Sequence, residues 1–115
     1  MGKIIIRNGN TDFVVKSEDV ILFETQDRRV SVRYLFKGEE CVRVFQATMD
    51  SIAEQLHGKG FCRISRSYVV SINHIIKLDD GIVYMDDEAK TEISVGRIYM
   101  NDLRACLARE ALAIL

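Results

Sequence analysis

Apolar residues in this chain come in short β-type runs broken by tight-turn residues, and that pattern limits the available folds more than any other feature. Lys3-Ile4-Ile5-Ile6-Arg7 and Asp12-Phe13-Val14-Val15-Lys16 flank Asn8-Gly9-Asn10. Asn and Gly tolerate positive φ, so this stretch predicts a β-hairpin. Val20 to Thr25 predicts a largely apolar strand. Arg29 to Phe36 alternates, with Val30, Val32, Tyr34 and Phe36 on one face and Arg29, Ser31 and Arg33 on the other. Lys37-Gly38-Glu39 turns the chain into a strand over Cys41 to Gln46. Thr48 is placed to cap a helix in which Met49, Ile52, Ala53 and Leu56 keep helical spacing, and Gly58 stops it. Strands are expected at Phe61 to Ile64 and Tyr68 to Ser71, interrupted by Ser65-Arg66-Ser67. Ile75 to Leu78 and Ile82 to Met85 form a hairpin about Asp79-Asp80-Gly81, and Thr91 to Val95 is a last short strand. From Arg97 the pattern turns helical, with Met100, Leu103, Leu107, Ala111 and Ile114 near one stripe; its final turn is expected to cover sheet surface or a second copy of the chain. The order of elements predicts a mainly β domain with one short internal helix and a C-terminal helix, not a βαβ fold. At 115 residues, positions 1–115 are expected to be a single domain.

Composition narrows the function classes. No apolar run approaches the about 20 residues a membrane-spanning helix needs. Met1-Gly2-Lys3 runs into the first β-type stretch without a signal-peptide layout. Three widely spaced cysteines, Cys41, Cys62 and Cys106, point to free thiols in a reducing cytoplasm and to buried apolar roles, not to a metal site. His57 and His74 stand alone, and there is no phosphate-binding glycine loop and no nucleophile elbow. Neither an enzyme nor a cofactor is expected. Asp86-Asp87-Glu88 reads as a solvated hairpin end, and Arg33 and Arg43 as solvated strand faces.

The net charge is −1, but its distribution is uneven: no acid occurs between Glu54 and Asp79, while Lys59, Arg63, Arg66 and Lys77 fall there. A near-neutral chain with segregated charge can still present a basic surface to an anion. The segment Phe61 to Ile75 concentrates this feature. Arg63 and Arg66 flank a strand break, Ser67 adds a hydroxyl, and a dense apolar strand follows before Asn73-His74. Guanidinium forks suit both phosphate oxygens and guanine edges. Arg63 alone is equally compatible with a phosphate contact and with an ion pair to Asp79 or Asp80. Tyr68 reads as core and His74 as structural.

Four ordered segments, namely Glu18 to Glu24, Thr48 to Leu56, Phe61 to Ile75 and Glu92 to Arg97, make the sequence resemble the LytTR (LytR/AlgR-type) DNA-binding domains of bacterial transcription and response regulators. The resemblance implies a β-sandwich-like fold of small antiparallel sheets that reads double-stranded DNA with loops in the major groove. It implies promoter direct repeats as sites, a second copy of the chain on DNA, and a receiver domain or RNA polymerase as further partners. Carried over residue by residue, it assigns DNA contacts to Arg63, Arg66, Ser67 and Arg97, and to Arg28 and Arg29 in the loop after the first long strand. The sequence departs from the family pattern at Ser65 (usually His), Ser71 (usually Asn) and Gly96 (usually Ser). Those departures leave open a different class of function, a protein-interaction module that pairs with a regulator and binds DNA weakly or not at all.

Overall fold

In the computed structural model, which describes residues 2–115, the chain is mainly β; Met1, from which the expected chain start was read, lies outside the described residues. Its strands are β1 (Lys3–Asn8), β2 (Thr11–Lys16), β3 (Val20–Gln26), β4 (Arg29–Phe36), β5 (Glu39–Phe45), β6 (Phe61–Ser65), β7 (Tyr68–Ser71), β8 (Ile75–Asp79), β9 (Ile82–Met85) and β10 (Glu92–Ser94). One helix, α1 (Met49–Leu56), interrupts them and a second, α2 (Met100–Glu110), follows the last strand. All strand pairs are antiparallel, in sheets ordered β1-β2, β10-β9-β8 and β5-β4-β3-β7-β6. Among the described residues no helix is long and apolar enough to cross a membrane.

Local chemistry explains the elements. Asn8 pairs with Thr11 across Gly9-Asn10, and Gly9 sits at φ +63° as a two-residue hairpin turn requires. The Thr48 hydroxyl accepts from the Ser51 amide at 3.1 Å, so α1 starts where its cap places it. α1 closes at His57, before Gly58 in the left-handed region at φ +73°.

The five-stranded sheet is covered on both faces, and each face has its own core. On one face Val20, Phe23, Val30, Val32, Tyr34, Phe61 and Val69 pack against Ile6 and Val15 of the hairpin and Met49 and Ile52 of α1. On the other, Ile21, Leu22, Cys62, Ile64 and Val70 pack against Val83, Met85 and Ile93 of the smaller sheet and Leu103 and Cys106 of α2. β3 serves both cores through a bulge between Val20 and Leu22, which places Ile21 and Leu22 on the same side. Each fully buried side chain of the size of Phe23 contributes about 1.5–3 kcal/mol.

Cover on the second face corrects two expectations. Arg33 is not on a solvated strand face: its side chain is only 22% exposed, and Ser31 on the same face is buried. Asp87 is not at a solvated hairpin end either. Its side chain is wholly buried and accepts from Arg33 Nη1 at 2.5 Å, from the Thr91 amide at 2.7 Å and from the Thr91 hydroxyl. Burial alone raises the Asp87 pKa, but the Thr91 hydrogen bonds and the Arg33 charge outweigh it and hold the carboxyl below its ordinary value. The smaller sheet carries an acid into the one place where an inward-facing arginine on β4 needs it.

The C-terminal helix is also corrected in part. Its buried stripe is Leu103 and Cys106, with Leu107 and Met100 half-buried, and the helix ends at Glu110. Ala111 to Leu115 do not cover the sheet: Leu112, Ile114 and Leu115 are exposed. The cysteines are free, with Cys62 and Cys106 buried in the second core and Cys41 half-buried. Burial first, and the neighbouring Cys106 thiol second, push the Cys62 pKa up to about 12.

Candidate nucleic-acid interface

Antiparallel topology gathers most of the expected DNA-contacting residues at one end of the large sheet. β3 ends at Gln26 where β7 begins, because Glu24 pairs with Tyr68 and the Thr25 amide donates to the Ser67 carbonyl at 2.9 Å. The β3–β4 turn, Asp27-Arg28, therefore lies at the same end as the β6–β7 turn, Arg66-Ser67. Asp27 takes φ +56°, a left-handed conformation that Asp tolerates better than most residues. Gln46, at the end of β5, donates to the Arg28 carbonyl at 3.4 Å. The two turns are two strand spacings apart, about 10 Å. Arg28, Arg29, Arg66 and Ser67 are all exposed.

Arg97 reaches the same end by another route. After β10 the chain passes β6, where the Gly96 amide donates to the Ile64 carbonyl at 2.8 Å. Gly96 then starts a 3-10 turn, Arg97–Tyr99, that leads into α2, and Arg97 is exposed on it. Gly96 has φ −65° and ψ 143°, ordinary extended backbone, so conformation does not demand glycine here. Space does: a Cβ at this position would lie 2.8 Å from Tyr99 Cδ2 and 3.3 Å from Cε2. The tyrosine ring takes the volume that a serine would need.

Arg63 behaves differently from the others. Its side chain is only 21% exposed and its guanidinium is engaged on three sides. Nε donates to the Ser65 carbonyl at 3.1 Å, Nη2 to the Arg66 carbonyl at 3.0 Å and Nη1 to Asp50 Oδ1 at 2.5 Å. The ion-pair partner is thus Asp50, in the first turn of α1, and not Asp79 or Asp80, which are exposed at the β8–β9 turn. No sequence spacing signals this pair, because the long-range register of β6 against α1 creates it. Ser65, at a position of departure from the family pattern, accepts from the Ser67 amide at 3.1 Å and fixes the turn locally.

The linear basic stretch is dispersed. Lys59 lies at the opposite end of β6 from Arg66, and Lys77, on β8, stands 4.5 Å over the Tyr84 ring. Arg43 is exposed and stacks 3.9 Å from the centre of the Phe13 ring. Tyr68 is half-buried against the second core, and its hydroxyl donates to Glu24 at 2.6 Å. Burial, then that bond, pushes its pKa up to about 12, so it stays a neutral donor near pH 7. His74 is structural, with Nδ1 at 2.8 Å from Asp86 and Nε2 at 3.4 Å from the Glu18 carbonyl. Among the described residues no group of acids, histidines and cysteines is arranged to hold a metal ion.

Comparison with known proteins agrees with this architecture. No curated protein matches the chain. A solved structure described as the LytTr DNA-binding domain of a methyl-accepting/DNA response regulator from Bacillus cereus superposes with a TM-score of 0.70. It shares 18% identity and covers 93% of this chain and 97% of its own, a likeness of fold. The family model for the LytTr DNA-binding domain matches residues 10–108. With the family model running from β2 into α2 and through every turn at the arginine-bearing end, the chain belongs to the LytTR family of DNA-binding domains.

Proposed function

We propose that the chain binds duplex DNA sequence-specifically in bacterial transcription control, and that the turn-bearing end of the large sheet is the reading surface. One observation carries this reading: three segments distant in sequence, Asp27 to Arg29, Arg66-Ser67 and Arg97, present exposed arginines and a hydroxyl at one end of a rigid sheet. Arginine forks there reach guanine edges in the major groove, and Arg28 and Arg29 lie far enough from Arg66 to meet neighbouring phosphates. Two of the departures from the family pattern are accommodated locally, since Ser65 fixes its own turn and Tyr99 fills the space beside Gly96, and they leave the arginine-bearing turns exposed. Residues 1–115 act as one binding unit, two copies occupy direct repeats in a promoter, and the setting is cytoplasmic. The domain serves as the output of a receiver domain or acts on RNA polymerase directly.

Selection of bound duplexes from a random pool tests the proposal, with direct repeats as the expected outcome. On the best selected site, Arg66→Ala and Arg97→Ala each cost about 1–3 kcal/mol and relax base preference. Affinity falls as salt rises, since phosphate neutralisation releases counterions. Absence of binding at low salt, or equal losses on selected and random DNA for both variants, rejects it.

A further inference from the structure

We infer that Arg63 is a positioning residue that holds the two main reading segments in register and makes no phosphate contact itself; this rests on the DNA-reading proposal above. A guanidinium has five donors and no acceptor. Three nitrogens of Arg63 are already committed, to two carbonyls of the Arg66 turn and to Asp50. The register of β6 against β7 breaks between Arg63 and Ser65, so the ladder does not pair this turn regularly, and the arginine supplies donors for it from the side. The guanidinium carbon also lies 5.7 Å from the centre of the Tyr99 ring, which belongs to the same 3-10 turn as Arg97. One side chain therefore ties together the start of α1, the turn bearing Arg66 and the turn bearing Arg97. Asp50 offsets the charge of Arg63, and with its own side chain 85% exposed against 21% for Arg63 it presents to an approaching phosphate a charge of the same sign. Lysine cannot substitute: a single ammonium does not span two carbonyls and a carboxylate in this planar arrangement.

Three variants and two readouts test the role. Binding to the best selected duplex and to random duplex is titrated over a range of salt for the native protein, Arg63→Lys, Arg63→Ala and Asp50→Ala. Arg63→Lys keeps the charge and removes the fork, so the ratio of selected to random affinity falls about tenfold while random-duplex affinity holds. Asp50→Ala, at an exposed position that leaves the fold intact, lowers the ratio by about threefold and leaves the salt slope no shallower. In Arg63→Ala the salt slope stays at its native value, because no phosphate partner is removed; a slope shallower by about one, with equal losses on all sequences, identifies Arg63 as a phosphate contact and overturns the inference. An unchanged ratio in both Arg63→Lys and Asp50→Ala overturns it as well, and leaves the DNA-reading proposal standing. A native protein with no preference between duplexes refutes that proposal instead, and the positioning role with it.

Discussion

Restoring the serine that the family pattern has at position 96 should harm this protein. Its backbone at Gly96 is ordinary, so Gly96→Ser brings no conformational strain. The penalty is steric. A Cβ lies 2.8 Å from Tyr99 Cδ2, and ordinary van der Waals separation requires the ring to retreat by about 0.6 Å or more. Tyr99 is not free to do so without consequence: its amide donates to the Gly96 carbonyl at 2.9 Å, and its ring lies beside the Arg63 guanidinium. Overpacking typically costs about 1–3 kcal/mol, and because Tyr99 is half-buried the lower end applies, near 1 kcal/mol. For a domain of this size that corresponds to a fall in Tm of about 4 °C. The ring also ties Arg97 to Arg63, so preference for the selected duplex should drop with stability. Thermal melts of Gly96→Ser, Tyr99→Ala and the double variant isolate the clash. In the Tyr99→Ala background the serine should cost nothing, giving a coupling of about 1 kcal/mol. An equal cost in both backgrounds, or a Gly96→Ser protein melting with the native one, would refute the idea that glycine is there for space.

Two further expectations concern the scaffold. Asp87→Ala leaves Arg33 with the Thr91 hydroxyl at 3.1 Å and, as its remaining carboxylate, Glu40 at 3.9 Å, removes the acceptor of the Thr91 amide, and should cost about 3 kcal/mol by chemical denaturation. Because the folded pKa of Asp87 is depressed, its contribution is fully present above the unfolded value of about 4 and is lost as pH falls through the folded value; the native protein should thus lose more stability on acidification than Asp87→Ala, and parallel acid limbs would contradict this. Leu103→Asp buries an unpaired charge where the native side chain is fully buried and should unfold the domain, whereas Arg104→Ala and Arg109→Ala, on the exposed side of α2, should keep the fold and leave DNA affinity within about threefold, which melting curves and binding titrations check.

What the sequence showed and what it hid divide along the range of the interactions. Hairpins were legible because two-residue turns write their needs into adjacent positions, as at Gly9-Asn10 and Asp80-Gly81, where Asp80 and Gly81 both take positive φ. The cap of α1 was legible for the same reason, since Thr48 and Ser51 are three residues apart. The role of Arg33 was hidden: alternation correctly put it opposite Val32, but only the fold reveals that the smaller sheet covers that face and brings Asp87 to it. The helical period on α2 overruns the helix by a turn because Ala111 and Ile114 continue it, while the helix stops at Glu110 and the second core takes Cys106 instead. At the candidate site, the family resemblance pointed to Arg66, Ser67 and Arg97, which the fold leaves exposed, whereas nothing in the sequence pointed to the partner of Arg63, since Asp50 meets it only through the packing of α1 on β6.

Cover on both faces of the large sheet also bears on why reading should fall to turns. α1 turns Met49 and Ile52 into one core and α2 turns Leu103 and Cys106 into the other, so each helix spends its most regular stripe on packing. The exposed side of α2 mixes Arg104 and Arg109 with Asp102 and Glu110, and that balance suits water better than the edge of a duplex. The faces of the central strands β3, β4 and β7 are equally committed to the two cores. What remains is the end of the sheet, where turns are short, anchored at both sides by paired strands, and therefore costly to displace. Arg28 and Arg66 sit on such turns, and Arg97 follows a backbone hydrogen bond to β6. A reader of this kind gains its precision from the register of the strands beneath it. On this reasoning, substitutions that shift register or unlock a turn should erode sequence preference before they erode overall affinity for DNA, because phosphate attraction tolerates small displacements that bidentate base contacts do not.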